Sequence, residues 1–234
     1  MKAFYLPEIE QQGFLSEAES HHALQVLRLQ AGDPILLLDG KGCKAKAIVH
    51  QVQKKKCGYE VVDRQFGKPD KPSIHIAVAP PRSAERIDFL IEKLVESGAD
   101  TIHLLECQNS GRRTISLPKL EQTAIAALKQ CKRFYLPVIK PLQSLGSFLE
   151  NDPCKDKRVA ALLPEASPME GMNQEDLSLL IGPEGDFSSE EYHKILANGY
   201  SPVRLSGHIL RTESAAAFAC FALYLSRLNS SVSS

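Results

Sequence analysis

From Ser73 onward, short apolar runs alternate with amphipathic segments, and this alternation restricts the fold more than any other feature of the sequence. Ile74–Ala79 has the pattern of a strand, and apolar residues then recur at helical spacing across Ser83–Ser97 until Gly98. Strands that alternate with helices usually form a parallel sheet with helices on both faces. We therefore predict an α/β domain over residues 73–230.

The other elements of this domain follow from the same patterns. Ser188 can cap a helix that has Glu191 at the capping-box position and Gly199 after its end. Besides those above, the predicted strands are Thr101–Leu105, Arg158–Leu163, Leu177–Ile181 and Val203–Leu205, and the predicted helices are Leu117–Lys132, Leu142–Glu150 and Ser188–Asn198.

The last predicted helix, Glu213–Leu228, has almost no polar side before Ser226. A helix that is apolar all round must be buried on most sides. The sheet can cover one face of this helix and a second subunit the other, which favours a homodimer formed through the C-terminal domain. The alternative is a helix buried wholly inside one domain.

Residues 1–70 have a different pattern, in which short strand-like runs such as Asp33–Gly40 end at turn signals. One helix is predicted at Ser16–Leu29, where Ser16 can act as the cap and Glu19 follows three residues later. A small β-barrel with one helix fits this pattern. Two Pro and one Gly lie among the charges of Gly67–Pro72, so we place the linker there.

The composition excludes several classes of protein. No apolar run reaches the roughly 18 residues that span a bilayer, and the N-terminus lacks the pattern of a signal peptide, so we expect a cytoplasmic protein. The six cysteines include no C-x-x-C pair, and the seven histidines are scattered. We therefore expect reduced thiols and no metal site.

The net charge is zero, but the charges are unevenly distributed. Six Lys and no acid lie between Lys41 and Lys56, and seven Lys or Arg accompany one acid between Gln108 and Leu149. Two such segments indicate a positive surface that can meet phosphates. A solvated face balanced by acids elsewhere explains the charges equally well.

The candidate chemistry lies in two loops that each follow a strand. Gly182–Phe187 and Leu205–Ser214 come at the carboxyl ends of their strands, where ligands bind in parallel sheets. Leu163–Pro164 ends a third strand and would complete a pocket. Thr212 can cap the last helix, whereas Arg211 is a cation at a helix N-terminus, which is unfavourable there. We expect Arg211 to have an anionic or electron-rich partner.

These loops carry a family resemblance. Leu180–Ser188 resembles the segment LIGPEGGFS, and Leu205–Ser214 the segment LG-x-x-ILRTET, of the bacterial ribosomal RNA small-subunit methyltransferase E family, which belongs to the SPOUT class. Similarity extends over His22–Gly40, Ile87–Ala99 and Ala124–Pro137, and so over nearly the whole chain. Asp186 and Ser214 depart from the usual Gly and Thr.

The resemblance implies a PUA-like β-barrel that binds RNA, followed by a SPOUT domain whose parallel sheet ends in a C-terminal trefoil knot. It also implies a homodimer and methylation of uridine N3 in 16S rRNA, with S-adenosylmethionine as the cofactor and no metal. The substrate is then 16S rRNA or the small ribosomal subunit. The expected cofactor-binding residues are Leu163, Pro164, Ile181, Gly182, Pro183, Glu184, Gly185, Leu205, Ser206, Gly207, Ile209 and Leu210.

For this reaction, Arg211 is the candidate for stabilising negative charge on the uracil, and Glu213 or else Glu184 for accepting its proton. Phosphate contacts are expected from Arg28, Lys41, Lys44, Lys46, Arg112 and Arg133. Two alternatives remain open at this point. One is a SPOUT methyltransferase that acts on another RNA, such as tRNA or a 2′-hydroxyl, and the other is a non-catalytic RNA-binding protein.

Overall fold

The computed structural model describes residues 1–53, 55–111 and 114–232. Its contacts group the chain into two compact units, residues 1–69 with 125–136, and residues 70–124 with 137–234. The domain limits predicted from the sequence, 1–70 and 73–230, do not include the return of residues 125–136 to the first unit. Each unit is described below by itself.

The first unit contains a five-stranded sheet in the order β1-β3-β4-β5-β2. Its strands are β1 (Lys2–Tyr5), β2 (Gln12–Phe14), β3 (Pro34–Leu38), β4 (Cys43–Gln53) and β5 (Lys56–Phe66). β1 pairs parallel to β3, and the other neighbours are antiparallel. Phe4, Ile35, Leu37 and Tyr59 lie in the core on one face of the sheet.

The predicted helix at Ser16–Leu29 is shorter and less regular than expected. Helix α1 covers Glu17–His21 and continues as a single π-helical turn over His22–Val26. The Ser16 hydroxyl caps the helix by accepting from Glu19 N at 3.3 Å. The Glu19 carboxylate forms an ion pair with Lys129 at 2.7 Å, a contact from residues 125–136 that local sequence cannot reveal.

The second unit contains a seven-stranded sheet in the order β10-β12-β9-β11-β6-β7-β8, and every pairing in it is parallel. Its strands are β6 (Ile74–Val78), β7 (Thr101–Glu106), β8 (Val138–Ser144), β9 (Asp156–Ala160), β10 (Ser167–Pro168), β11 (Leu177–Ile181) and β12 (Ser201–Arg204). The predicted order, an N-terminal β domain followed by an α/β domain with a parallel sheet, is confirmed.

Helices cover both faces of this sheet. Alternate residues of a strand point to opposite sides, so a strand that is apolar throughout has side chains to bury on both faces. Ala77 of β6 packs in one cluster with Phe148 and Ile195, while Ile76 and Val78 are buried on the other side. The helices of this unit are α2 (Ala84–Glu96), α4 (Leu145–Asn151), α5 (Ser189–Ala197) and α6 (Thr212–Val232), whereas α3 (Leu117–Cys131) begins in this unit and ends among residues 125–136 of the first.

Local sequence signals predicted the start of α5 correctly and the start of α4 incorrectly. The capping box of α5 is present, with Ser188 and Glu191 bonded to each other's backbone N–H groups. The helix predicted at Leu142–Glu150 begins only at Leu145, because residues 138–144 form the edge strand β8 and Ser144 caps α4. Pro141 lies in this strand, which an edge position tolerates.

The terminal helix α6 has two different faces. Its buried side includes small residues and a leucine, among them Ala216, Cys220 and Leu223, and two charged residues, Glu213 and Arg227. The opposite side exposes apolar residues at intervals of three and four, namely Phe218, Phe221, Leu225 and Leu228. The helix is therefore not wholly internal. Within the described residues, no helix has the length and apolarity needed to cross a membrane.

Candidate functional site

A cavity of about 810 Å³ lies beyond the carboxyl ends of β9, β11 and β12. These three strands are neighbours in the sheet, with β9 between the other two, so the segments that follow them converge. Ligands bind at this edge of parallel sheets, and a cavity of this volume suits a small organic ligand. The converging loops that the sequence predicts are thus present.

Most of the predicted cofactor-binding residues line the cavity. From the two loops these are Ile181, Gly182, Pro183, Glu184, Gly185, Leu205, Ser206, Ile209 and Leu210. Leu163, Pro164 and Gly207 do not line it, and the segment after β9 contributes Ala160, Ala161 and Leu162 instead. β9 ends at Ala160 rather than at Leu163, which moves its carboxyl end by three residues.

The loop Gly182–Phe187 is held by hydrogen bonds from several directions. Asn109 Nδ2 donates to Gly185 O at 3.2 Å and to Asp186 O at 3.0 Å. Asp186 N donates to Pro183 O at 2.9 Å. Asp186 has a φ of 59°, in the left-handed region where Gly is preferred and Asp is tolerated. This conformation explains why a Gly suits the same position.

The loop Leu205–Arg211 has fewer bonds. Ser206 Oγ accepts from His208 N at 3.1 Å, and Ile209 is 89% exposed. The Arg211 side chain is exposed on the cavity wall and forms no hydrogen bond or ion pair with residues that the structure describes. Because helix α6 begins at Thr212, that residue does not cap it, and its hydroxyl donates instead to Gly182 O at 3.2 Å.

Arg86 joins the cavity to the start of α6, and the sequence did not point to it. Its Nε donates to Glu213 Oε1 at 2.8 Å and its Nη2 to Glu213 Oε2 at 2.6 Å. Its Nη1 also donates to Glu184 Oε1 in a close contact. One signal could have found this residue: Arg86 is a cation in the first turn of α2, where positive charge is as unfavourable as it is for Arg211 just before α6.

The bidentate pair shifts the ionisation of both partners. Burial by itself would raise the pKa of Glu213, but hydrogen bonds from Arg86 and the charge of Arg211 outweigh it, so the pKa of that carboxyl is lowered. The hydrogen bonds that Arg86 donates to Glu213 raise the pKa of the Arg86 guanidinium. Both groups therefore stay charged at neutral pH.

These contacts bear on the two carboxylates considered as proton acceptors. Both oxygens of Glu213 are engaged by Arg86, and a carboxyl with a lowered pKa is a weak base. Glu184 lies against Arg86 and 3.9 Å from Arg82 Nε. The geometry favours a positioning role for both carboxylates.

None of the predicted RNA-binding residues that the structure describes lines this cavity. Lys41, Lys44, Lys46 and Arg133 belong to the first unit, as does Arg28, an exposed residue with a φ of 55°. Lys46 pairs with Asp63 at 3.9 Å, whereas Lys44 lies over the ring of Phe134. Arg112 falls outside the described residues.

Within the described part of the chain, no three His, Cys, Asp or Glu side chains are arranged to hold a metal ion. The walls of the cavity consist of apolar side chains, backbone groups, two acids, two arginines and the polar residues Ser206, His208 and Thr212. This set of groups suits an organic ligand that carries both charged and apolar parts.

Comparison with known proteins gives two family matches on this chain. A family described as RNA methyltransferase domain matches residues 68–224. A family described as RNA methyltransferase PUA domain matches residues 15–57. Together they span both units, and the first includes all the residues that line the cavity.

Individual relatives agree with these matches. Ribosomal RNA small subunit methyltransferase E of Buchnera aphidicola is 28% identical over 225 residues, which cover 92% of this chain and 88% of that protein. The crystal structure of a probable rRNA-methyltransferase from Porphyromonas gingivalis has a TM-score of 0.89 and 35% identity, over 98% of this chain and 100% of that one. Ribosomal RNA small subunit methyltransferase E from Neisseria gonorrhoeae, bound to S-adenosyl methionine, has a TM-score of 0.85 and 25% identity, over 96% and 97%.

Proposed function

Because the chain belongs to the ribosomal RNA small subunit methyltransferase E family of RNA methyltransferases, we propose that it methylates ring N3 of a uridine in 16S rRNA. The methyl donor is S-adenosylmethionine. The observation that carries this proposal is the cavity at the ends of β9, β11 and β12, with Arg211 on its wall.

The groups that line the cavity fit this cofactor. Ile181, Leu205 and Leu210 offer apolar contacts for a purine, and the backbone of Gly182–Gly185 offers hydrogen-bonding groups. Glu184 adds negative charge, which suits a ligand that carries a sulfonium and an ammonium group. When bound, S-adenosylmethionine supplies a methyl group that is already activated for transfer.

Arg211 is placed to act on the substrate. Uracil N3–H is weakly acidic, and the uracil must release this proton to solvent before or while N3 accepts the methyl group. A guanidinium beside the uracil oxygens stabilises the negative charge that results. The Arg211 guanidinium is unpaired among the described residues, so we assign this task to it, while Arg86 keeps Glu184 and Glu213 in position.

The partners follow from the same premise. We propose 16S rRNA, free or within the small ribosomal subunit, as the substrate, with Arg28, Lys41, Lys44, Lys46, Arg112 and Arg133 contacting phosphates. We further propose a homodimer that covers the exposed apolar side of α6. We also propose that the C-terminal domain contains the trefoil knot that is typical of SPOUT proteins.

The deciding experiment is mass spectrometry of nucleosides from 16S rRNA of a deletion strain. We expect one N3-methyluridine to disappear and to return with wild-type protein but not with the Arg211→Ala variant. Methylation of the purified small subunit with labelled S-adenosylmethionine provides the direct assay. If 16S rRNA from the deletion strain kept its full complement of methyluridine, the proposed target would be wrong.

A further inference from the structure

Three segments of the first unit come together on one surface. They are Lys41–Lys44, Phe66–Lys68 and Lys132–Tyr135, which we call the basic–aromatic surface. Gly67 N donates to Gly42 O at 2.9 Å, and Gly42 N donates to Phe134 O at 3.1 Å. The Tyr135 hydroxyl donates to Gly67 O at 2.9 Å. These three hydrogen bonds hold the three segments side by side.

The charges on this surface are all of one sign. The three segments contain five cations and no acid, the cations being Lys41, Lys44, Lys68, Lys132 and Arg133. Asp39, the acid just before the first segment, accepts hydrogen bonds from the backbone N–H groups of Lys41 and Cys43. A cluster of cations attracts phosphate groups.

Two of the three aromatic residues in these segments, Phe134 and Phe66, differ in their exposure to solvent. Phe134 is half-buried, because Lys44 Nζ lies 3.7 Å from its ring centroid and the ring packs so closely against Gly67 that a Cβ there would clash with it. Phe66 pairs with Cys43 at the end of β5 and is 75% exposed. The Phe134 ring is therefore occupied by contacts within the protein, whereas the Phe66 ring can contact a ligand.

We propose that Phe66 stacks on an unpaired base of the RNA substrate while the cations of the basic–aromatic surface contact the flanking phosphates. An aromatic face combined with a positive groove is how proteins hold single-stranded nucleic acid. A base inside a duplex has no free face, so the site selects a loop, bulge or end. The proposal rests on the proposed function and adds to it a contact that recognises unpaired RNA.

The chain contains no tryptophan, so a substitution can place a single fluorescent reporter at the site. In Phe66→Trp, the indole takes the position proposed to stack. The matched control is Phe14→Trp, since Phe14 is also exposed in the first unit, at 43%, and has Lys56 Nζ 5.6 Å from its ring centroid. Each variant is titrated with a single-stranded RNA of ten adenosines and, separately, with sodium polyphosphate.

We expect the RNA to quench the fluorescence of Phe66→Trp, and polyphosphate to leave it unchanged because it has no bases. Phe14→Trp should respond to neither ligand. No quenching in Phe66→Trp, or equal quenching in both variants, would overturn the proposal. Equal responses to RNA and polyphosphate would also overturn it, because the site would then bind any polyanion.

A salt titration separates stacking from charge. We expect Phe66→Ala to weaken binding of the same RNA about tenfold or more without changing the dependence of affinity on salt. Lys68→Ala should reduce that salt dependence by about one unit of slope. A changed slope in Phe66→Ala would contradict stacking. Affinity for S-adenosylhomocysteine and methylation by wild-type protein test the proposed function separately, since neither reports on Phe66.

Discussion

The two loops that line the cavity differ in how they are held. Gly182–Phe187 receives hydrogen bonds from Asn109, carries a left-handed residue at Asp186 and presents Glu184 to Arg86. Leu205–Arg211 has one internal hydrogen bond, between Ser206 and His208. Its Ile209 is 89% exposed, and Arg211 has no partner among the described residues. One loop is fixed by its surroundings, and the other is left open to solvent.

We expect this difference to separate cofactor binding from catalysis. A preorganised loop can hold a ligand without further ordering, which lowers the entropic cost of binding. A loop with an unpaired cation can respond to a second molecule that brings negative charge. We therefore expect substitutions in or around Gly182–Phe187 to change stability and cofactor affinity, and Arg211→Ala to change the rate.

The largest effect is expected for Arg211→Ala. Removing one preorganised donor to a developing oxyanion lowers turnover by about 10²- to 10³-fold. Cofactor affinity should stay unchanged in calorimetric titration with S-adenosylhomocysteine. The control is Arg204→Ala, since Arg204 is exposed on β12 but does not line the cavity. Wild-type rates in Arg211→Ala would remove the distinction between the loops.

A loss of stability is expected for Arg86→Gln. It leaves the Glu213 carboxylate, whose side chain is 7% exposed, without its cation, at a cost of about 3 kcal/mol in the free energy of unfolding. Urea unfolding measures this cost. Arg82→Gln is the control, because that side chain is 73% exposed and should change stability by less than about 0.5 kcal/mol. Equal losses in both variants would contradict a structural role for the bidentate pair.

A pH dependence of stability follows from the same pair. The folded state lowers the pKa of Glu213 below its usual 4.5, so the stabilisation is present above that value. It is lost as the pH falls through the lowered pKa, when the carboxyl is protonated and its bonds to Arg86 weaken. Unfolding experiments between pH 7 and pH 3 should show a steeper loss in wild type than in Glu213→Gln. Parallel curves would show that Glu213 contributes nothing to this dependence.

The smallest effect is expected at Asp186. A left-handed conformation costs a residue with a Cβ roughly 1–2 kcal/mol, and the Asp186 side chain recovers part of this by accepting from Phe187 N at 2.8 Å. Asp186→Ala should therefore lose about 1 kcal/mol of stability in thermal unfolding, while Asp186→Gly should stay close to wild type. Equal stability of the Ala and Gly variants would show that the loop relaxes.

The sequence predicted the parts of the fold that depend on neighbours in the chain. Ser188 and Glu191 lie three residues apart, and their capping box is present. The strand–helix alternation gave the parallel sheet, and the position of two loops after their strands gave one cavity. Each of these features has a signal within a few residues.

Contacts between distant residues could not be predicted in this way. Arg86 and Glu213 are 127 residues apart, and only the folded α2 and α6 bring them together. Residues 125–136 gave no sign that they pack in the first unit, because the sequence pattern there is an ordinary amphipathic helix. β8 was missed because Pro141 and polar residues weaken its strand pattern.

The bidentate pair also has a consequence for synthesis of the protein. At about 5–20 residues per second, the ribosome adds Glu213 roughly 6–25 s after Arg86. During this interval β6, α2 and β7 can assemble, but the start of α6 and the second cavity loop do not yet exist. The cavity is therefore completed only late in synthesis, when the second loop and the start of α6 have been added.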